Sequence, residues 1–441
     1  MKYEASVVLA LGLLLAGCDG GSQFQQSSPS ARAERSYARP PSAPPPAAAE
    51  SPSGGSWDYA ARAPAPPPSA APLRAGEVDD NARFDEYVRY FRACPEPDAR
   101  KFDITDRMVV TFTDPAGRPV SFAPVRIYAQ DATAYEARTS AGGQVMFPPR
   151  ACGVADRVGQ FAADIAGERV WFNRQEDARV SVGAYQEDRS VVDIDLAFCL
   201  DTTGSMGDEI DRLRRTLQDA VARLGGLTPR PRFRFGMVLY RDQGDAYVTR
   251  VYDFTPDLDA FLRDLDGVEA SGGGDYEEAV YDGLNHSLTD LSWDPRKAVR
   301  IVFLVGDAPP HRPSGWGDTH AAVVRRAAGM GVKFYTIGAS GLNDKGEFIW
   351  RQLAQFTLAK FMFISYGGTT SHHVGSFREN NLDDLMVRAV EGEIESLRPS
   401  YVQPPAVTWG NGRRPDDFST YPSYRTQPPE SRYPPRFREY R

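Results

Sequence analysis

One stretch constrains this chain of 441 residues more than any other. Val191 to Leu200 is an almost continuous apolar run, broken by Asp193 and Asp195. A run of that kind suits a central parallel strand covered on both faces, because neither face then has to be polar. It ends in Asp201-Thr202-Thr203-Gly204-Ser205-Met206-Gly207. Directly after it, Met206, Ile210, Leu213, Leu217, Val221 and Leu224 step by three and four, so they share one face of a helix. Asp208 and Glu209 fall in the first turn, where the helix dipole favours negative charge.

The alternation repeats. Phe233 to Tyr240, Ile301 to Val305, Val332 to Ile337 and Phe361 to Ile364 read as strands. Helical faces follow Thr255-Pro256, which looks like a cap and first-turn pair. Others follow Ser271-Gly272-Gly273-Gly274-Asp275, run from His320 to Ala328 and from Phe348 to Leu358, and close the series with Leu382 to Leu397. Strands alternating with helices predict a doubly wound α/β domain with a mostly parallel sheet over 189–398. In such sheets ligands sit outside the carboxyl ends of the strands.

Three acidic segments fall at such ends or at a helix start: Asp201 with Thr203 and Ser205, Asp275 with Glu278, and Asp307. Their side chains are hard oxygen ligands of the kind Mg²⁺ takes, about six in all with some kept as water. The D-x-T-G-S segment at Asp201, the GGGDYEEA segment and the strand end VFLVGDAPPH resemble the metal-ion-dependent adhesion site of von Willebrand factor type A (vWA) domains. The resemblance covers about Val191 to Leu397. It implies that Thr203 and Ser205 touch a divalent cation directly, and that Asp201 matches the first carboxylate and Asp307 the one on the later strand, which often act through water. The second loop departs from the commoner pattern. No threonine stands between Gly267 and Gly283, and the loop is closer to a D-x-P-E variant, with Glu277 where proline is usual. Glu278 is therefore the first choice of ligand there and Asp275 the second. The resemblance implies Mg²⁺, or Mn²⁺ or Ca²⁺, and a protein partner that supplies an Asp or Glu carboxylate to the metal.

Other candidates are weaker. Asp242 and Asp245 could form a second metal site, but a solvated loop is the simpler reading. His372-His373 has no acid or cysteine spacing beside it. The segment around Ser205 is no nucleophile elbow, since Thr203 replaces the required glycine. Neither His nor Cys stands in the acidic motifs, apart from His311 just after Asp307, so a binding module rather than an enzyme is expected. A scaffold with a vestigial site and a metal-assisted hydrolase are the alternatives.

The flanks differ in composition. Val7 to Ala16 is apolar but too short to span a bilayer. It ends in Leu15-Ala16-Gly17-Cys18, which resembles the lipobox of bacterial lipoproteins. That implies a signal peptide over 1–17, lipidation at Cys18, and anchoring to a bacterial membrane in the cell envelope. Residues 18–82 are rich in Pro, Ser and Ala and predict a disordered tether. A short helix is expected at Phe84 to Phe91. Short strands with turns between them then predict a small β-sandwich over 83–188. Its stretch from Val110 to Phe147 is similar to carboxypeptidase-regulatory-like and immunoglobulin-like modules. Cys94 and Cys152 flank this region and could pair in an oxidising compartment, whereas Cys199 lies inside the apolar strand. Residues 399–441, rich in Pro, Tyr and Arg, predict a disordered tail. The net charge of -8 argues against nucleic acid as a partner.

Overall fold

The computed structural model describes residues 73–94, 102–183, 185, 193–227, 231–295, 298–311, 316–366, 370, 372, 374, 377–398, 401 and 438–440. The expected signal peptide, Cys18, nearly all of the tether and most of the tail lie outside them.

The described residues begin with β1 (Arg74–Val78) and α1 (Phe84–Ala93). Seven strands follow: β2 (Met108–Thr113), β3 (Pro124–Ala129), β4 (Ala132–Arg138), β5 (Gln144–Phe147), β6 (Gln160–Ile165), β7 (Glu168–Asn173) and β8 (Asp177–Ser181). They form two sheets, ordered β5-β2-β8 and β4-β3-β6-β7. Rings from the two sheets meet between them: Phe147 stands edge-on to Phe161 at 5.1 Å and tilts against Tyr135 at 5.7 Å. This is the expected β-sandwich, with β4 added; in β4 only Tyr135 and Ala137 are buried, too few to mark a strand in the sequence.

The α/β layer contains β9 (Asp193–Asp201), α2 (Gly207–Gly225), β10 (Arg232–Tyr240), β11 (Thr249–Thr255), α3 (Leu258–Asp266), α4 (Val280–Thr289) and β12 (Ala298–Gly306). It continues with α5 (Trp316–Met330), β13 (Val332–Gly338), α6 (Asp344–Phe356), β14 (Phe361–Ser365), β15 (Asn380–Asn381) and α7 (Leu382–Glu395). A last strand, β16 (Arg438–Tyr440), lies in the tail. The sheet order is β15-β1-β14-β13-β12-β9-β10-β11-β16. β14, β13, β12, β9 and β10 run parallel, and the flanking strands are antiparallel.

Alternate residues of β9 explain the double winding. Ile194, Leu196, Phe198 and Leu200 join the core under α2, α3 and α7. Ala197 and Cys199 face the opposite core, with α4, α5 and α6. The two acids that interrupt the run are matched by the next strand. Register sets Arg232 beside Asp193 and Arg234 beside Asp195. Arg234 binds buried Asp195 at 2.8 and 2.7 Å, a two-pronged contact that neutralises a charge otherwise costly in the interior.

Four expectations need correction. The tether does not reach residue 82, because β1 pairs with β14 inside the sheet. The tail returns as β16, which takes up the open edge groups of β11. The cap of α3 is Asp257, whose carboxylate accepts from the Ala260 N–H, while Thr255 ends β11. Finally, Cys94 and Cys152 are thiols, not halves of a disulfide. Each is held by its own local backbone bonds, Cys94 by the end of α1 and Cys152 by the turn after Pro148 and Pro149.

The sandwich and the α/β layer also share one hydrophobic core. Phe102 meets Phe356 at 5.5 Å, and Tyr90 and Phe91 each meet Phe348 at 5.7 Å. The division at 188/189 thus separates two sheet systems but not two cores. Among the described residues no helix is long and apolar enough to cross a membrane.

Candidate functional site

Parallel register builds the site. Leu200 of β9 lies beside Val305 of β12, and Asp201 lies beside Tyr240 of β10. The segments starting at Asp201, Asp307 and Arg241 therefore leave the carboxyl edge of three adjacent strands together. Asp201 ends its strand, a 3-10 turn at Gly204–Met206 follows, and α2 begins at Gly207.

The expected ligands from the first and third segments converge. Asp201 Oδ1 accepts from the Thr203 N–H at 2.9 Å and from the Thr203 hydroxyl at 2.6 Å. Thr203 Oγ1 is 3.1 Å from Ser205 Oγ, and Ser205 donates to Asp307 Oδ1 at 3.1 Å. Gly306 makes the approach possible. A Cβ there would lie 2.4 Å from Tyr240 Oη and 2.9 Å from Asp201 Cβ, closer than real contacts allow.

The second loop divides its two acids. Glu278 is buried and stitched to the strand end after Asp307: its N–H bonds Pro309 O at 3.0 Å, and its carbonyl accepts the His311 N–H at 3.1 Å. A Cβ on Gly273 would lie 3.4 Å from both Glu278 Oε1 and Thr203 Cβ, so the glutamate borders the first segment. Asp275 is exposed and lies elsewhere, in a group with Asp242 and His311. Gly272 and Gly273, at φ of +85° and +84°, carry the loop through a bend that L side chains rarely adopt.

The carboxylates crowd one another away from water. Burial and then the charge of Asp307 push Asp201 up to about 7. Burial, then Asp201, Asp242 and Asp307, push Glu278 up to about 9. Burial raises Asp307 too, against the lowering hydrogen bond from Ser205. Asp201 Oδ2 and Glu278 Oε2 are buried with no hydrogen-bond partner among the described residues. Buried polar atoms normally have partners, so two orphan carboxylate oxygens beside two hydroxyls are a donor set that fits a hard dication.

Several contributors were not legible as site residues. The sequence marks Glu209 only as a helix-dipole partner. In the fold its Oε1 accepts from Ser340 Oγ at 2.5 Å and from the Tyr366 phenol, and its charge acts on Asp307. Asp242 is buried rather than solvated; Asp245 is half-buried and accepts from the Asp242 N–H at 3.1 Å. His372 packs between the rings of Phe361 and Phe363, 5.6 Å from each, and is a core histidine. His373 lies outside the described residues.

Part of this chain is similar to known proteins. The family model described as "von Willebrand factor A domain" matches residues 195–329. A protein of Acanthamoeba polyphaga mimivirus, described as an ariadne-like RING finger protein, is 31% identical over 180 residues. That stretch covers 41% of this chain and 16% of the viral protein. Human von Willebrand factor A domain-containing protein 7 is 34% identical over 115 residues, covering 26% of this chain and 12% of its own. The chain thus spans only a small part of these relatives. Proximal thread matrix protein 1 of mussel byssus aligns with 46% of each chain at 16% identity and a TM-score of 0.31. The family match thus marks residues 195–329 as similar to a von Willebrand factor A domain, and the mostly parallel sheet is consistent with that fold.

Proposed function

We propose that this protein is a non-enzymatic binding module that engages a protein partner through a divalent cation. A vWA domain suggests a protein-interaction or adhesion-type module; the metal dependence is the finer reading. Asp201, Thr203, Ser205, Glu278 and Asp307 would hold Mg²⁺, Mn²⁺ or Ca²⁺, and Asp275 would not. The observation that carries this reading is the pair of buried oxygens, Asp201 Oδ2 and Glu278 Oε2, which have no hydrogen-bond partner among the described residues and lie in a cluster of three carboxylates. When bound, the cation supplies a positive centre that an Asp or Glu of the partner can complete. The chain's own residues do the rest. Thr203 and Ser205 fix the Asp201 and Asp307 carboxylates by hydrogen bonds, and Gly306 admits Asp201 and Tyr240 to the same spot.

Envelope display by lipidation at Cys18 completes the proposal. Capture from envelope extract with Mg²⁺ or with EDTA tests the binding. Partner retention should need the cation and should be lost in Asp201→Ala with the melting curve kept. Binding that is indifferent to both would favour a scaffold with a vestigial site. Cys18→Ser should move the protein from membranes to the soluble fraction; unchanged membrane association would sink the anchor.

A further inference from the structure

We propose that two copies of this chain associate by exchanging β16, so that the terminal strand of each fills the β11 edge of the other. Among the described residues β16 stands at the end of the sheet order and pairs with β11 alone. Register sets Thr249 opposite Tyr440, Arg250 opposite Glu439 and Val251 opposite Arg438. A second copy presents the identical edge. Exchange remakes the same pairs, so it costs little beyond the ordering of the connection.

Two features match the strand to that edge. β11 runs on to Thr255, but a bulge ends its regular ladder. From Tyr252 to Thr255 it advances three residues while β10 advances two, from Met237 back to Phe235. A bulge bends an edge away from further pairing. On the other side Pro434-Pro435 precede β16, and proline has no N–H to give to a ladder. The acceptor is therefore the short regular segment that begins at Thr249, matched in length to the strand that fills it.

The length and charge of the terminal segment favour a second copy as the source. Residues 402–437 precede β16 and include Pro404-Pro405, Pro428-Pro429 and Pro434-Pro435. Pro-rich sequences favour extended polyproline II at about 3.1 Å per residue, so a connection of this length and composition spans far more than one sheet edge. A strand on a short flexible linker meets its own edge at an effective concentration of about 1 mM, and a longer linker lowers it. A second copy at comparable concentration then competes. Arg432, Arg436, Arg438 and Arg441 stand with one acid, Glu439, in the last stretch of a chain whose net charge is -8. The terminal segment is thus the part of one copy that another copy attracts. Opposite charges at facing positions, Arg250 and Glu439, favour this register over its neighbours.

The test uses the full chain with Cys18→Ser in every variant, which removes a competing thiol. Arg250→Cys and Glu439→Cys are placed on separate chains, mixed at about 1 mM and oxidised. A covalent heterodimer bridged by the two introduced thiols should form, and its share should fall on dilution. A chain carrying both substitutions, oxidised at about 1 μM, should instead bridge within itself. Exchange is overturned if that chain bridges within itself while the mixture gives no heterodimer. A doubly substituted chain that bridges in neither way overturns it as well, since β16 would then not occupy the edge. Melting curves check that the variants are folded. A second measurement needs no substitution in either strand. At about 1 mM the Cys18→Ser chain should sediment partly as a dimer, and an excess of a peptide with the sequence of residues 434–441 should return it to monomer. A chain that stays monomeric, or a dimer that the peptide leaves intact, would sink the proposal.

Discussion

Ser205, in the turn before α2, donates its hydroxyl hydrogen to Asp307 Oδ1 at 3.1 Å across 102 residues of sequence. That bond, with the Thr203–Asp201 pair, holds two buried carboxylates at one strand edge while Glu278 closes on them from a third segment. The energetic consequence depends on pH. Asp201 is raised from 3.8 to about 7 and Glu278 from 4.5 to about 9, so the native state holds protons that the unfolded chain has released. Where the native state binds more protons, stability falls as pH rises. Their contribution is whole below about pH 4 and is lost as pH climbs through 7 and toward 9. Without divalent cations, the melting temperature should drop from about pH 5 to about pH 9. Mg²⁺ should raise it more at the alkaline end, because a cation replaces protons on deprotonated ligands. An equal Mg²⁺ effect at both ends would contradict the assignment.

Gly306→Ala should disturb both stability and the site. The added methyl would meet Tyr240 Oη at 2.4 Å and Asp201 Oδ2 at 3.0 Å, inside a close-packed edge. Overpacking of this kind costs about 1–3 kcal/mol. Denaturant titration should show that loss, with weaker Mg²⁺ stabilisation than wild type.

The segment before the sandwich should be indispensable to the α/β layer. Arg351 of α6 binds Asp80 at 2.8 and 2.6 Å, and both side chains are buried. Removing one partner strands a buried charge, at a cost of about 3–5 kcal/mol. Asp80→Ala leaves Arg351 paired with buried Glu347 at 3.1 Å and should fall at the low end of that range, whereas Arg351→Ala strands both carboxylates and should cost more. A loss below about 1 kcal/mol, the range of surface pairs, would show the pair to be solvated.

The cysteines should behave as thiols. Burial pushes Cys152 up to about 11 and Cys199 up to about 12, so neither is a thiolate near neutrality. Mass mapping without reductant should find no Cys94–Cys152 bridge. Alkylation of Cys152 and Cys199 should be slow in the native protein and fast after unfolding, since the thiolate is the reacting form. Rapid native labelling of Cys199 would mean its strand is not buried as described.

The amino-acid order by itself determined the parallel layer. A strand covered on both faces must be apolar on both, and an amphipathic helix must repeat every three to four residues, so β9, β12, β13 and α2 were legible from local pattern. The Asp201–Thr203–Ser205 group was legible for the same reason, since one short turn contains all three. β1, β11 and β16 were not. Edge and near-edge strands are only partly buried, so their residues carry no continuous apolar signal, and their partners lie far away in sequence. The choice between Asp275 and Glu278 was likewise tertiary. Both follow the same glycines, three residues apart, and only the pairing of Glu278 with Pro309 and His311 turns one toward Asp201 and leaves the other beside Asp242. The separation of Cys94 and Cys152 had the same origin: two thiols meet only where the folded backbone brings them, and here each is held by its own helix end or turn.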